Sequence, residues 1–180
     1  MTAANFPAPP VRSFAELAPL TPELVVVFGA FALLMLDLFL DDRRRVVTHA
    51  LAIVTLLVAA ALLWFDVGGQ GTTLAGKFVR DDGADVLKLV ILLVSAASMA
   101  YIWPFLRERD LYKGEVAVLV LFAVAGMMLL VSAGSLTMVY VGLELLALCS
   151  YALVATDRDS PLASEAAMKY FVLGSLASGL

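Results

Sequence analysis

The feature that most constrains the fold is an alternation between long apolar runs and short clusters of charge. The clusters read "DDRRR", "RDDGAD", "RERD" and "TDRD", and the runs between them approach the about 20 residues that an α-helix needs to cross a bilayer. Of the 180 residues, 62% are hydrophobic and 16% are charged, whereas a soluble domain is about half apolar and about a quarter charged. The sequence therefore predicts an all-α, polytopic bundle of transmembrane helices.

We expect about six membrane-spanning helices. Their predicted bounds are Pro22–Leu40, Val46–Phe65, Ala84–Leu106, Gly114–Val131 and Ser135–Thr156, followed by a sixth span that begins at Pro161. Proline favours the first turn of a helix, as at Pro22 and Pro161.

This division gives three regions: a lead-in at 1–21, the first three spans at 22–106, and the remaining spans at 107–180. Glycine and turn-forming residues at 66–85 predict a surface loop with room for a small hairpin. The chain ends at Leu180 inside an apolar run, so we expect a truncated chain.

The distribution of lysine and arginine predicts the orientation, because short loops rich in these residues stay in the cytoplasm. Seven of them follow the first, third and fifth spans: Arg43, Arg44, Arg45, Arg107, Arg109, Lys113 and Arg158. The other side carries Arg12, Lys77 and Arg80, with Lys88 inside the third span. We therefore expect the N-terminus to lie outside, on the side of the membrane opposite the cytoplasm.

Composition excludes several classes of function. The net charge of −4 does not provide the basic surface that nucleic-acid binding needs. A single cysteine, Cys149, permits neither an intrachain disulfide nor a cysteine-based metal cluster. The sequence also lacks a glycine-rich phosphate loop, a His/Cys/Asp metal motif and a Ser/His/Asp set.

Two ionisable residues lie deep inside predicted spans. Glu144 is 12 residues before Thr156, and Lys169 is 8 residues after Pro161, which places them about 18 and 12 Å from the same side. A charged side chain at such depth is costly, and it is by default a candidate functional group that faces the bundle interior.

Two interpretations of these residues stay open. Burial disfavours the charged form of each group, so both can exchange protons or move charge. Alternatively, Lys169 forms a structural ion pair with Glu144, or with Glu165 one turn earlier on its own helix. Tyr140 and Tyr151 share the Glu144 face, and both are secondary candidates for a hydrated path.

The other features of the spans have structural interpretations. Gly142 and Gly174 favour close helix packing. We expect five ionisable residues near span ends to lie at the membrane interface: Asp37, His49, Asp85, Lys88 and Glu115.

The segment "YVGLELLALCSYALVATDRDSPLASEAAMKYFVLGSLASGL" resembles the antiporter-like membrane subunits of bacterial respiratory complex I. The similarity extends over nearly the whole chain, through "TPELVVVFGAFALLMLDLFL" and "GKFVRDDGADVLKLVILL". The "GLE" triplet and "MKYFVLGSLASGL" favour the subunit N branch of this family over subunits L and M.

The resemblance implies a proton-translocating subunit of NADH-quinone oxidoreductase in the bacterial inner membrane. It matches Glu144 to the fifth-helix glutamate of the family and Lys169 to the sixth-helix lysine. It implies no cofactor in this chain, since FMN, the iron–sulfur clusters and NADH belong to the peripheral arm of the complex, with a quinone as electron acceptor. The implied partners are the lipid bilayer and the other membrane subunits. Family members have about fourteen helices, so the resemblance covers only their first part.

Two alternatives come from other functional classes. One is a subunit of a stand-alone cation/proton antiporter or of a membrane-bound hydrogenase, which would move ions without NADH or quinone. The other is a structural scaffold, in which changes at Glu144 and Lys169 would impair assembly but not turnover.

Overall fold

The computed structural model describes residues 14–39, 45–108, 113–157 and 159–179. A 3-10 helix at Phe14–Leu20 precedes α1 (Thr21–Asp37) and α2 (Arg45–Trp64). Strands β1 (Gly71–Thr73) and β2 (Phe78–Arg80) are followed by α3 (Asp82–Glu108), α4 (Gly114–Val131), α5 (Leu136–Val154) and α6 (Pro161–Ser178). The first part of the predicted lead-in, before residue 14, lies outside the described residues.

Within the described part of the chain, five helical segments are long and apolar enough to cross a membrane. They are Leu17–Asp37, Val46–Trp64, Asp82–Glu108, Gly114–Val131 and Leu136–Val154, which confirms the polytopic helical bundle. The sixth helix also forms and has the same length as α4, 18 residues, but it contains Glu165 and Lys169 and is not among these five segments. The sixth span and the outward N-terminus stay predictions.

Helices α1 to α4 form a four-helix unit. Helices α1 and α3 each pack against both α2 and α4, so they occupy opposite corners of the unit. Small residues allow close approach: a Cβ atom on Gly29 of α1 would overlap the side chain of Thr55 of α2. The buried apolar core runs along the axis of this unit and includes Val26, Ala30, Leu33, Leu56, Leu92, Leu121, Val124 and Met128.

Helix α5 packs along α4, and α6 packs on α5. Because adjacent helices run in opposite directions, the starts of α1, α3 and α5 lie at one end of the bundle, which we call the hairpin end. The starts of α2, α4 and α6 lie at the opposite end. The described residues leave most of the α6 surface exposed.

The loop between α2 and α3 contains the hairpin that its composition suggested. Its strands pair antiparallel, with Gly71 opposite Arg80 and Thr73 opposite Phe78. The turn includes Leu74 and Ala75 in the left-handed region, at φ 53° and 60°. Phe78 and Arg80 are buried, so this loop packs into the end of the bundle in addition to covering it.

Arg80 holds the loop to the start of α3. Its Nε atom donates to both carboxylate oxygens of Asp85, at 2.9 and 3.0 Å. Its other nitrogens donate to the carbonyls of Val67 and Gly69, at 2.9 and 3.2 Å, and to Asp66 at 3.2 Å. These bonds satisfy loop carbonyls that no helix satisfies, which polar backbone near an apolar environment requires.

Three of the predicted interfacial residues take part in contacts inside the bundle. The interfacial prediction for Lys88 was wrong, because its side chain has no solvent exposure and forms an ion pair. His49 is also buried, with Nε2 2.9 Å from the carbonyl oxygen of Met99 and its ring 4.7 Å from that of Trp103. Asp37 accepts a hydrogen bond from Thr48 at 3.1 Å.

Replacing Arg80 with methionine is expected to destabilise the full-length protein by about 3 kcal/mol, because breaking a buried ion pair leaves its partner uncompensated. Thermal unfolding of the purified protein measures the change. Lys77→Met provides the matched control, since Lys77 lies in the same hairpin with an exposed side chain. Equal stability of the two variants would show that Arg80 does not hold the loop.

Candidate functional site

Helix α5 carries Glu144 and begins with a side-chain cap. The hydroxyl oxygen of Ser135 accepts a hydrogen bond from the backbone N–H of Met138 at 3.3 Å, which satisfies one of the free donors at the helix start. Glu144 follows nine residues later, about 13 Å along the helix. Its carboxylate is half-buried, and within the described part of the chain it has no hydrogen bond and no ion pair.

The position of Glu144 depends on a close crossing of α4 and α5. A Cβ atom on Gly142 would lie 2.9 Å from Cγ of Leu130 and 3.0 Å from the carbonyl oxygen of Gly126. A Cβ atom on Gly126 would in turn lie 2.9 Å from the carbonyl oxygen of Gly142. The two helices touch backbone to backbone two residues from Glu144, as the packing interpretation of Gly142 predicted.

Lys169 forms its ion pair within α6. Its Nζ atom lies 2.5 Å from Oε1 of Glu165, and the two side chains are 71% and 59% exposed among the described residues. Of the two partners that the sequence left open, the structure therefore pairs Lys169 with Glu165. It does not pair Lys169 with Glu144, and Lys169 does not face a bundle interior formed by these residues.

Tyr151 joins α5 to α6. Its ring makes edge contacts with Tyr170 and Phe171, at centroid distances of 4.9 and 5.7 Å. Its hydroxyl group lies directly over Gly174, where a Cβ atom would overlap it. Tyr151 thus positions the helix that carries Lys169, whereas Tyr140 is exposed among the described residues.

Charged groups complement the helix ends at the opposite end of the bundle. The Asp37 carboxylate lies against Gly114, the first residue of α4, where negative charge is favourable. The Lys113 amine donates to the carbonyl of Thr156, just beyond α5, at 3.4 Å, where positive charge is favourable. Both ends of the helix pair that carries Glu144 are therefore fixed.

Sequence reasoning missed the most deeply buried ion pair that the described residues contain. Lys88 Nζ lies 2.5 Å from Oε1 of Glu23, and the side chains are 0% and 3% exposed. The sequence placed Lys88 near the start of the third span, where interfacial exposure was expected, whereas Glu23, near the start of the first span, was not among the candidate residues. A signal was available, since the predicted topology puts the starts of the first and third spans on the same side of the membrane.

No group of three or more His, Cys, Asp or Glu side chains in the described ranges is arranged to hold a metal ion.

Comparisons with known proteins place this arrangement in a family. Residues 133–180, which include Glu144 and Lys169, match the family described as NADH:quinone oxidoreductase/Mrp antiporter, TM. A protein of Xanthomonas euvesicatoria named NADH-quinone oxidoreductase subunit N is 67% identical over 166 residues, 92% of this chain. A protein of the same name from Thioalkalivibrio sulfidiphilus is 46% identical over 167 residues. The chain is thus similar to the subunit N proteins over most of its own length.

The fold agrees with the sequence comparison. A chain in the structure of respiratory complex I from Thermus thermophilus with bound aureothin superposes with a TM-score of 0.71 and 30% identity, over 88% of this chain. The chain covers 34% of that structure's chain and 34–35% of these two subunit N relatives. It therefore spans about a third of a subunit N protein, from the N-terminal portion.

Replacing Gly142 with alanine in full-length subunit N is expected to cost about 1–3 kcal/mol, because the added methyl group overpacks a backbone contact. Thermal unfolding measures the loss. Val141→Ile adds the same single carbon to the adjacent, exposed position and should leave the melting temperature nearly unchanged. A neutral Gly142→Ala variant would contradict the close crossing of α4 and α5.

Proposed function

We propose that the full-length protein is a proton-translocating membrane subunit of NADH-quinone oxidoreductase in the bacterial inner membrane. The observation that carries this proposal is the Glu144 carboxylate, which is half-buried in the middle of a spanning helix with no polar partner among the described residues. An intramembrane carboxylate that stabilises nothing is expected to have a functional role. The subunit N relatives support the identity of the complex.

In this proposal Glu144 is the charge-coupling and proton-exchanging group. The two glycines at the α4–α5 crossing fix its position along the bundle, and both ends of α5 are held by polar contacts. A charged side chain in the middle of a membrane span is costly and is by default a functional candidate, and we therefore assign proton exchange to this carboxylate.

Lys169 is the conducting or modulating partner. Its amine lies on α6, next to the helix of Glu144, and it bonds to Glu165. The difference in depth between Glu144 and Lys169 is about 6 Å by helix rise, which is within reach of a lysine side chain. Exchange of Lys169 between the two carboxylates would shift positive charge toward Glu144, and Tyr151 packs α6 against the helix that carries Glu144.

The chain carries no redox centre in this proposal. NADH, FMN, iron–sulfur clusters and a quinone serve the rest of the complex, and electron transfer there drives the charge changes at Glu144. The partners are lipids and the other membrane subunits. This assignment makes the protein a subunit of a translocase, with no oxidation or reduction of its own.

A second candidate function is cation/proton antiport. The matched family is described by both names, NADH:quinone oxidoreductase and Mrp antiporter. An antiporter would exchange sodium or potassium for protons in vesicles without NADH or quinone, and the proposed subunit would not.

The proposal predicts that Glu144→Gln in the full-length subunit lowers NADH-driven proton pumping at least about fivefold, since coupling between sites is typically worth about 5- to 150-fold. Quinone reduction should fall with it, because a blocked proton path stops coupled turnover. Pumping and quinone reduction are measured in membranes after assembly of the complex is verified.

Glu108→Gln serves as the control, because it removes a carboxylate that is exposed at the end of α3. Full pumping by an assembled Glu144→Gln complex would overturn the proposal. Loss of assembly in the Glu144→Gln variant, with normal activity of the complexes that do assemble, would favour the structural scaffold.

A further inference from the structure

The ion pair between Glu23 and Lys88 lies in the interior of the four-helix unit. It connects α1 to α3, which occupy opposite corners of that unit. One helical turn deeper, the same helices present Val26 and Leu92, both fully buried in the apolar core. The pair therefore ends against an apolar core, in which Val26 and Leu92 offer no polar group.

Stability does not explain why two charges occupy this position. No hydrogen bond from another described residue reaches the carboxylate oxygens of Glu23 or the amine of Lys88. Buried ion pairs without such additional bonds generally stabilise a fold no better than apolar residues of similar size. Leucine and methionine in place of Glu23 and Lys88 would stabilise the fold equally well. The presence of two charges here therefore points to a role for the charge itself.

The charge of Lys88 contacts the hairpin. The ring of Phe78, on β2, covers the Lys88 amine with the nitrogen 4.9 Å from the ring centroid. A cation at this distance from an aromatic face is attracted to it, and more strongly when both groups are removed from water. Phe78 is itself fully buried, so its ring meets the amine that pairs with Glu23 away from water.

Strand β2 in turn contacts the connection between α4 and α5. The backbone of Phe78 pairs with that of Ala133. The N–H of Val79 donates to the carbonyl of Ser132 at 2.9 Å, and the N–H of Gly134 donates to the carbonyl of Lys77 at 2.8 Å. These bonds end one residue before Ser135, the cap of the helix that carries Glu144.

The geometry points to Glu23 and Lys88 as positioning residues for Glu144. Their charges hold Phe78, Phe78 fixes β2, and β2 fixes the start of α5 and hence the depth of Glu144 in the membrane. This inference rests on the proposed function of Glu144, and it adds two residues that act on it from the four-helix unit.

The decisive variant is Glu23→Gln combined with Lys88→Met in the full-length subunit of the assembled complex. Removing both charges leaves no uncompensated ion in the core, so the unit is expected to fold. The Phe78 ring loses its cation, and NADH-driven proton pumping should fall about twofold or more, the range seen for residues that couple two sites. Hydrogen exchange at the Val79 and Gly134 amides should become faster, while exchange in the α2 core stays unchanged.

Two further variants separate positioning from general stability. Phe78→Leu keeps both charges and most of the side-chain volume but removes the aromatic ring. It should reproduce the loss of pumping and the faster hydrogen exchange. Lys88→Arg keeps a cation for both Glu23 and the ring, so pumping should remain near the wild-type rate. Lys77→Met, in the exposed turn of the same hairpin, should have no effect.

The possible outcomes are distinguishable. An assembled double variant, or an assembled Phe78→Leu variant, that pumps at the wild-type rate would overturn the positioning role. If Glu144→Gln pumps normally in the same membranes, the proposed function of Glu144 is what fails. If Glu144→Gln loses pumping while the assembled double variant and the assembled Phe78→Leu variant both retain it, the proposed function of Glu144 stands and the positioning role is rejected.

Discussion

Backbone hydrogen bonding is the constraint on which the rest of the structure depends. A chain that crosses a bilayer must satisfy its N–H and C=O groups internally, and an α-helix does so within each segment. The described spans obey this rule, and the only strands in the described ranges lie at the hairpin end. The loop at this end cannot satisfy all of its own backbone groups. Arg80 and the backbone of the α4–α5 connection supply the missing hydrogen-bond partners.

The apolar runs predicted the helices because length and composition alone determine which segments can cross a membrane. The predicted third span at 84–106 became α3 at Asp82–Glu108, and the fourth had the predicted bounds. The composition of the glycine-rich loop left a small hairpin or an irregular loop open. The structure contains the hairpin, whose turn requires backbone conformations that most residues avoid.

Contacts between distant segments could not be predicted in the same way. Lys88 has the sequence context of an interfacial lysine, and only the arrangement of α1 opposite α3 shows that it meets Glu23 in the core. For Lys169, the nearest carboxylate along its own helix gave the partner that the structure shows, and the more distant Glu144 did not. The roles of Glu144 and Lys169 therefore stay predictions: Glu144 has no polar partner among the described residues, and the role of Lys169 requires an exchange of partners.

The pairing of Phe78 with Ala133 has a consequence for biogenesis. The hairpin emerges from the ribosome before α3 and α4, but the backbone that it pairs with follows α4. Because domains are synthesised from the N-terminus, the hairpin cannot complete its hydrogen bonds until four helices have entered the membrane. The order of translation therefore makes completion of the hairpin's hydrogen bonds a late step. It takes place as α5, the helix that carries Glu144, is synthesised.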